Sequence, residues 1–214
     1  MATGAPVTKA RIINAADDLF YAEGLAAVSM DRIAARAGVT KKTLYYHFRS
    51  KDDLMGAYLE ARRGPVLKRY QGWAGTTGSV AERMERMFRN LGQAAADRSW
   101  QGCGFLRAAC ELAHLPGHPA SVAARRHKAE FESWMRSMLD EEGHPGSEKL
   151  ARALMILLDG AIIQTLIHRS RAFAEAAAQA AAALLARQDA GGPDGCGCAR
   201  TSVLAGHGGE QVHA

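Results

Sequence analysis

The stretch Ser29-Met-Asp-Arg-Ile-Ala-Ala-Arg-Ala-Gly-Val-Thr-Lys-Lys-Thr-Leu-Tyr-Tyr-His-Phe-Arg-Ser-Lys-Asp-Asp-Leu54 decides the fold. Ser29 is a good N-cap, Asp31 suits the positive end of a helix dipole, and Met30, Ile33, Ala34 and Ala37 recur at helical spacing. Gly38 ends that short helix. Thr40 caps a second one, in which Leu44 and Phe48 fall one turn apart and face inward, and Ser50-Lys-Asp-Asp53 opens a further helix as a variant capping box. Two short helices joined by Gly38-Val39-Thr40 match a helix-turn-helix, whose second helix enters a major groove. With Leu44 and Phe48 turned to the core, Thr40, Lys41, Lys42, Thr43, Tyr45, Tyr46 and His47 face outward. Their hydroxyl, cationic and aromatic groups suit phosphate oxygens and base edges.

Together with the upstream Ala-Ala-Asp-Asp-Leu-Phe-Tyr-Ala-Glu-Gly-Leu, this stretch closely resembles the DNA-binding region of the tetracycline-repressor (TetR) family over about residues 8 to 60. The resemblance implies a homodimeric regulator that binds double-stranded operator DNA, most often a repressor released by a small-molecule effector. It implies backbone-phosphate roles for Ser29, Tyr46 and Lys51, and a groove-facing set of Thr40, Lys41, Thr43 and Tyr45, with His47 beside them. Lys9, Arg11 and Arg36 read first as solvated surface charges, with nonspecific phosphate attraction as the competing reading.

Working outward, nearly every segment has helical period and no stretch alternates long enough to be a strand, so the fold class is all-α. Residues 8 to 23 place Ile12, Ala16, Leu19 and Phe20 on one face, with Gly24 as the stop. A helix from residue 51 is expected to end or kink at Gly64-Pro65. Further helices are expected over 80–98, 105–114, 120–142, 148–171 and 173–188. The expected organisation is a DNA-binding domain over 1–50, a linking helix over 51–72, and an effector-binding and dimerisation domain over 73–188. Residues 189–214 hold seven glycines in 26 positions and read as a disordered tail.

Charge fits this division. Residues 1–70 carry 12 Lys and Arg against 7 Asp and Glu, whereas 71–214 carry 15 of each, so the net +5 sits in the first third. The N-terminus lacks the basic and apolar segments of a secretory signal, and the apolar run 153–167 is short and contains Asp159 and Gln164. A cytoplasmic protein without a membrane partner is expected. Four cysteines among 214 residues do not make a disulfide framework.

In the second domain Leu150, Leu154, Leu157, Leu158, Ala161, Ile162 and Leu166 make a broad apolar surface, and the Ala-rich run 174–185 allows close helix approach. A dimer interface through Leu154, Leu158, Ile162, Leu166, Ala177 and Leu184 is expected, although such residues also serve an intrachain core. Candidate effector-pocket residues are Phe88, Leu91, Trp100, Cys103, Phe105, Glu111, Trp134, Met138 and Ile162, because pockets are apolar and aromatic with a few polar groups. Cys103, near a helix N-terminus and Arg107, offers an alternative reading as a redox or electrophile sensor, against the plainer one of a small filler. Glu111, His114 and His118 could seed a metal site and, through it, a metal-dependent enzyme; a turn and helix-end reading competes. Cys196, Cys198, His207 and His213 could collect metal in the tail. The chain has no P-loop, H-E-x-x-H or G-x-S-x-G motif, so no enzyme activity and no cofactor are expected. A nonspecific architectural DNA-binding protein or a purely structural helical interaction module is the remaining rival.

Overall fold

The computed structural model describes residues 4–189, and among them every regular element is a helix. The tail at 190–214, including Cys196, Cys198, His207 and His213, lies outside the described residues. Helix α1 (Gly4–Glu23) packs on α2 (Met30–Ala37), α2 on α3 (Lys41–His47), and α1 also on α4 (Lys51–Ala74). Ile12, Phe20, Ile33, Leu44, Leu54 and Tyr58 are almost fully buried at their centre, and the rings of Phe20 and Tyr58 lie 5.4 Å apart. This core does not stop at the N-terminal helices. Phe105 and Ala108 of α6 (Gly104–Glu111), with Ala120, Ala123 and Ala124 of α7 (Pro119–Glu142), complete it.

Helix α4 continues through Gly64-Pro65, correcting the expected break. A proline removes one backbone donor and crowds the preceding turn. Burial on both sides of it, by Tyr58 and Leu59 before and Tyr70 and Ala74 after, holds the helix together. The α4–α7 approach is close at Gly56, where a Cβ would stand 2.6 Å from Pro119 Cβ.

The remaining elements are α5 (Val80–Ala94), α8 (Ser147–His168) and α9 (Ala172–Asp189). Ser79 and Glu82 form a reciprocal capping box at the start of α5. Helix α5 packs against α9, α7 against α4 and α8, and α8 against α9. Their shared core contains Met84, Phe88, Leu91, Phe131, Met135 and Leu139. At 22 residues α8 is long and apolar enough to cross a membrane, contrary to the short run read from 153–167. Its Leu150, Leu154, Leu158, Ile162 and Thr165 are instead buried inside this helical core.

That burial draws part of the expected dimer face into the chain's own core. Leu154, Leu158 and Ile162 are no more than 2% exposed and are used by the chain's own core, as is Ala177 at 7%; Leu166 and Leu184 are half-buried. The apolar residues left outward on α8 are Ile156, 69% exposed, and Ile167, 64% exposed. Exposed Gly160 and half-buried Ile163 lie between them at i+4 and i+7, forming one stripe. On α9 the exposed Ala176, Ala180 and Ala183 make a small-residue face.

Candidate nucleic-acid interface

The turn between α2 and α3 is fixed by local chemistry. Ser29 Oγ accepts the Arg32 N–H at 3.3 Å and opens α2. Gly38 closes it in the left-handed region (φ 62°), where its N–H bonds Ala35 O and the Val39 N–H bonds Ala34 O. A side chain there is disfavoured by the backbone angle and by Arg11 Nη2, 3.2 Å from where a Cβ would sit. Thr40 then caps α3, its Oγ1 accepting the Thr43 N–H at 3.1 Å and lying 2.8 Å from Thr43 Oγ1. Leu44 and Phe48 are buried and anchor α3, so its other face is set outward.

That outer face carries Tyr45, 42% exposed, and Tyr46, 81% exposed, with the His47 ring edge-on to Tyr46 at 5.2 Å. Lys41 and Lys42 are exposed, and Lys41 Nζ lies 2.8 Å from Asp31 Oδ1, which raises the lysine's pKa through that hydrogen bond. Lys51 Nζ donates to Ala26 O at 3.0 Å, bracing the α1–α2 loop. The structure thus brings Thr40, Lys41, Thr43, Tyr45, Tyr46 and His47 together on α3, with Ser29 and Lys51 at the first turns of α2 and α4. Arg49 was not among the sequence candidates. It is exposed in the turn after α3, and its signal was a cation between the Phe48 anchor and the Ser50 cap. Arg11 and Arg36 are committed elsewhere: Arg11 bonds Ala37 O at 2.6 Å, and Arg36 pairs with Asp18 at 2.7 Å.

Behind this surface, α6 grips the N-terminal unit. Glu111 accepts the Leu25 N–H and the Ala26 N–H, each at 3.0 Å, and Arg107 donates to Tyr21 O at 2.6 Å. The Tyr21 hydroxyl accepts the Gln101 N–H at 2.9 Å and donates to Gly102 O. Arg62 of α4 pairs with Asp17 of α1 and lies 5.2 Å from the Tyr21 ring centroid.

These contacts dismantle the expected Glu111, His114 and His118 cluster. Glu111 is spent on backbone donors, and His114 is exposed. His118 is buried at the α7 N-cap, with Nδ1 accepting the Ala120 N–H and Nε2 3.2 Å from Asp52 Oδ1. Among the described residues no three His, Cys, Asp or Glu side chains are placed to hold a metal ion.

The expected effector-pocket residues are dispersed. Trp100, Cys103 and Phe105 line a small enclosed cavity of about 50 Å³ with Tyr21, Arg62 and Tyr70. Phe88 lines a groove of about 610 Å³ between α5 and α9, and Phe105 also lines one of about 490 Å³ between α6, α7 and α8. Leu91, Met138 and Ile162 are buried in the second core, and Trp134 packs against it. Cys103 occupies the N-cap position of α6, half-buried and without a side-chain capping bond.

Comparison with known proteins agrees with this architecture. Residues 12–58 match the model of bacterial regulatory proteins, tetR family, and residues 119–188 match that of the tetracyclin repressor-like C-terminal domain. The HTH-type transcriptional regulator SrpR of Pseudomonas putida is 40% identical over 65 residues, 30% of each chain. An HTH-type transcriptional repressor of Mycobacterium tuberculosis is 36% identical over 97 residues, 45% of this chain and 51% of that one. The chain therefore aligns with about half or less of the length of these two curated relatives. The crystal structure of a TetR-type transcriptional regulator from Streptomyces avermitilis superposes with a TM-score of 0.77 at 28% identity, covering 85% of this chain and 98% of that one. A TetR-family regulator from Streptomyces coelicolor gives 0.75 at 29%, covering 85% and 89%. With both halves matched and the fold shared along nearly its whole described length, the chain belongs to the tetR family of bacterial regulatory proteins.

Proposed function

We propose that the protein is a homodimeric transcriptional repressor that binds a palindromic operator in duplex DNA and is released by a small-molecule effector. The observation that carries the reading is α3, where Leu44 and Phe48 are buried while Tyr45, Tyr46, Lys41 and Lys42 stand outward. Lys41 and Thr43 read base edges in the major groove. Tyr46, Lys51 and Ser29 hold backbone phosphates and fix the helix in register. To do so, Lys51 exchanges its bond to Ala26 O for a phosphate oxygen.

The homodimer forms through the outward stripe of α8, Ile156, Gly160, Ile163 and Ile167, against the small-residue face of α9. Exposed isoleucines at helical spacing support this, because a contiguous apolar face costs free energy in water until a second copy covers it. Two-fold symmetry then sets the two α3 helices about 34 Å apart, one DNA turn. An effector shifts the equilibrium only if it binds the released arrangement more tightly than the DNA-bound one. The site of action is the cytoplasm, where the DNA is.

Selection of bound DNA from a random pool tests the reading. One palindromic sequence with half-sites a helical turn apart is the expected result. Equal retention of all duplexes would leave a nonspecific DNA-coating protein instead.

A further inference from the structure

The groove between α6, α7 and α8 has a volume of about 490 Å³, which falls in the range of small-molecule sites, roughly 300–1,000 Å³. Its walls are apolar, with Phe105, Leu106 and Leu112 on one side and Ala124 on the other. Most of its charged groups are already satisfied: Lys128 pairs with Asp159, and Glu132 lies 3.0 Å from Arg152. Arg125 is the exception, exposed at the groove with no ion-pair partner among the described residues. One helical turn earlier on the same face of α7, Ser121 is 6% exposed, and its hydroxyl has no hydrogen-bond partner among the described residues. A buried polar group without a partner is uncommon in a folded protein and calls for a specific reason.

We propose that this groove is an effector site for a small carboxylic acid with an apolar, ring-sized body. The carboxylate pairs with the Arg125 guanidinium and accepts from the Ser121 hydroxyl, and the body covers Phe105, Leu106 and Leu112. One cation unpaired among the described residues and one hydroxyl suit a singly charged carboxylate. A phosphate dianion would want the second cation, Lys128, which Asp159 holds. Helix α6 is one wall of the groove and also carries Arg107 and Glu111, which hold Tyr21, Leu25 and Ala26. A ligand that displaces α6 therefore acts on the loop leading into α2. This coupling rests on the proposed ligand-responsive reading, whereas the site itself does not.

Calorimetric titration of the full chain with 2-naphthoate and with its neutral counterpart 2-naphthamide tests the site. The carboxylate is expected to bind about tenfold more tightly than the amide, an advantage lost in Arg125→Ala; Ser121→Ala weakens the carboxylate by about threefold. Ala109→Trp, at an exposed position of the wall, is expected to abolish both. No binding of 2-naphthoate up to about 1 mM, equal affinity for acid and amide, or a preference that survives Arg125→Ala would overturn the proposal. Release of selected operator DNA is measured separately by fluorescence anisotropy. Arg125-dependent binding without release upholds the site and defeats its coupling through α6 to DNA.

Discussion

The Glu111 carboxylate of α6 reaches 86 residues back along the chain to accept the Leu25 N–H at 3.0 Å. Together with the Ala26 N–H it satisfies two donors at the start of the α1–α2 loop, just past the end of α1. Glu111→Ala should cost about 1–3 kcal/mol, mainly because the part-buried Leu25 N–H loses a charged acceptor, while the exposed Ala26 N–H can turn to water. Urea unfolding reports the loss, and amide exchange at Leu25 and Ala26 should quicken more than at Leu44. Unchanged protection at both amides would mean the carboxylate does not hold the loop.

Lys42 and Arg49 flank α3 as exposed cations, and neither is held by a carboxylate among the described residues. If each meets a phosphate, Lys42→Ala and Arg49→Ala should each reduce the slope of log affinity against log salt by about 0.9. Lys41→Ala and Thr43→Ala should instead alter which bases are preferred. Filter binding across a salt series, on the selected operator and on point variants of it, separates the two effects.

Ile156 and Leu154 lie two residues apart on α8 but face opposite ways, one 69% exposed and the other fully buried. If the proposed dimer forms through this stripe, Ile156→Glu should give a folded monomer in sedimentation velocity, with little change in thermal midpoint beyond the loss of association. Leu154→Ala should leave the proposed association intact but cost about 2–5 kcal/mol through the cavity it leaves. A dimer that persists in Ile156→Glu would move the interface away from this stripe.

His127 stacks on Phe105 with ring centroids 3.6 Å apart, and its edge meets Phe131. Burial, reinforced by nearby Lys128 and Arg63, lowers its pKa from 6.5 to about 3. The unfolded chain therefore takes up a proton that the folded one refuses. Stability attributable to this group is constant above about pH 6.5 and falls between there and pH 3, by at most about 1.4 kcal/mol per pH unit. His127→Phe keeps an aromatic ring in the stack and should flatten that acid limb, read as thermal midpoint against pH. A limb as steep as in the original chain would assign the acid sensitivity to other groups.

Gly56 of α4 faces Pro119 so closely that an added Cβ would stand 2.6 Å away. Gly56→Ala should destabilise the fold despite the better helix propensity of alanine, because the backbone of α7 must yield. Thermal melts would give the opposite sign if α4 and α7 were free to separate.

The local sequence determined the elements whose signals are local. Ser29, Thr40 and Ser50 each cap the helix that follows them, Gly38 ends α2 in the left-handed conformation, and Leu44 and Phe48 are buried as their spacing requires. These follow from side-chain to backbone bonds within a few residues and from one helical period. Periodicity alone could not tell which neighbour would cover an apolar face. Helix α8 is apolar nearly all round, so only packing against α7 and α9 decided that Leu154, Leu158 and Ile162 serve the chain's own core while Ile156 and Ile167 remain outside. Likewise Pro65 read as a break, and burial on both sides of it kept α4 whole. Glu111 read as a ligand or pocket group, and a loop 86 residues away claimed it. Sequence fixes what contiguous residues can satisfy among themselves; tertiary structure decides which distant partner satisfies the rest, because each buried face and each backbone donor can be used only once.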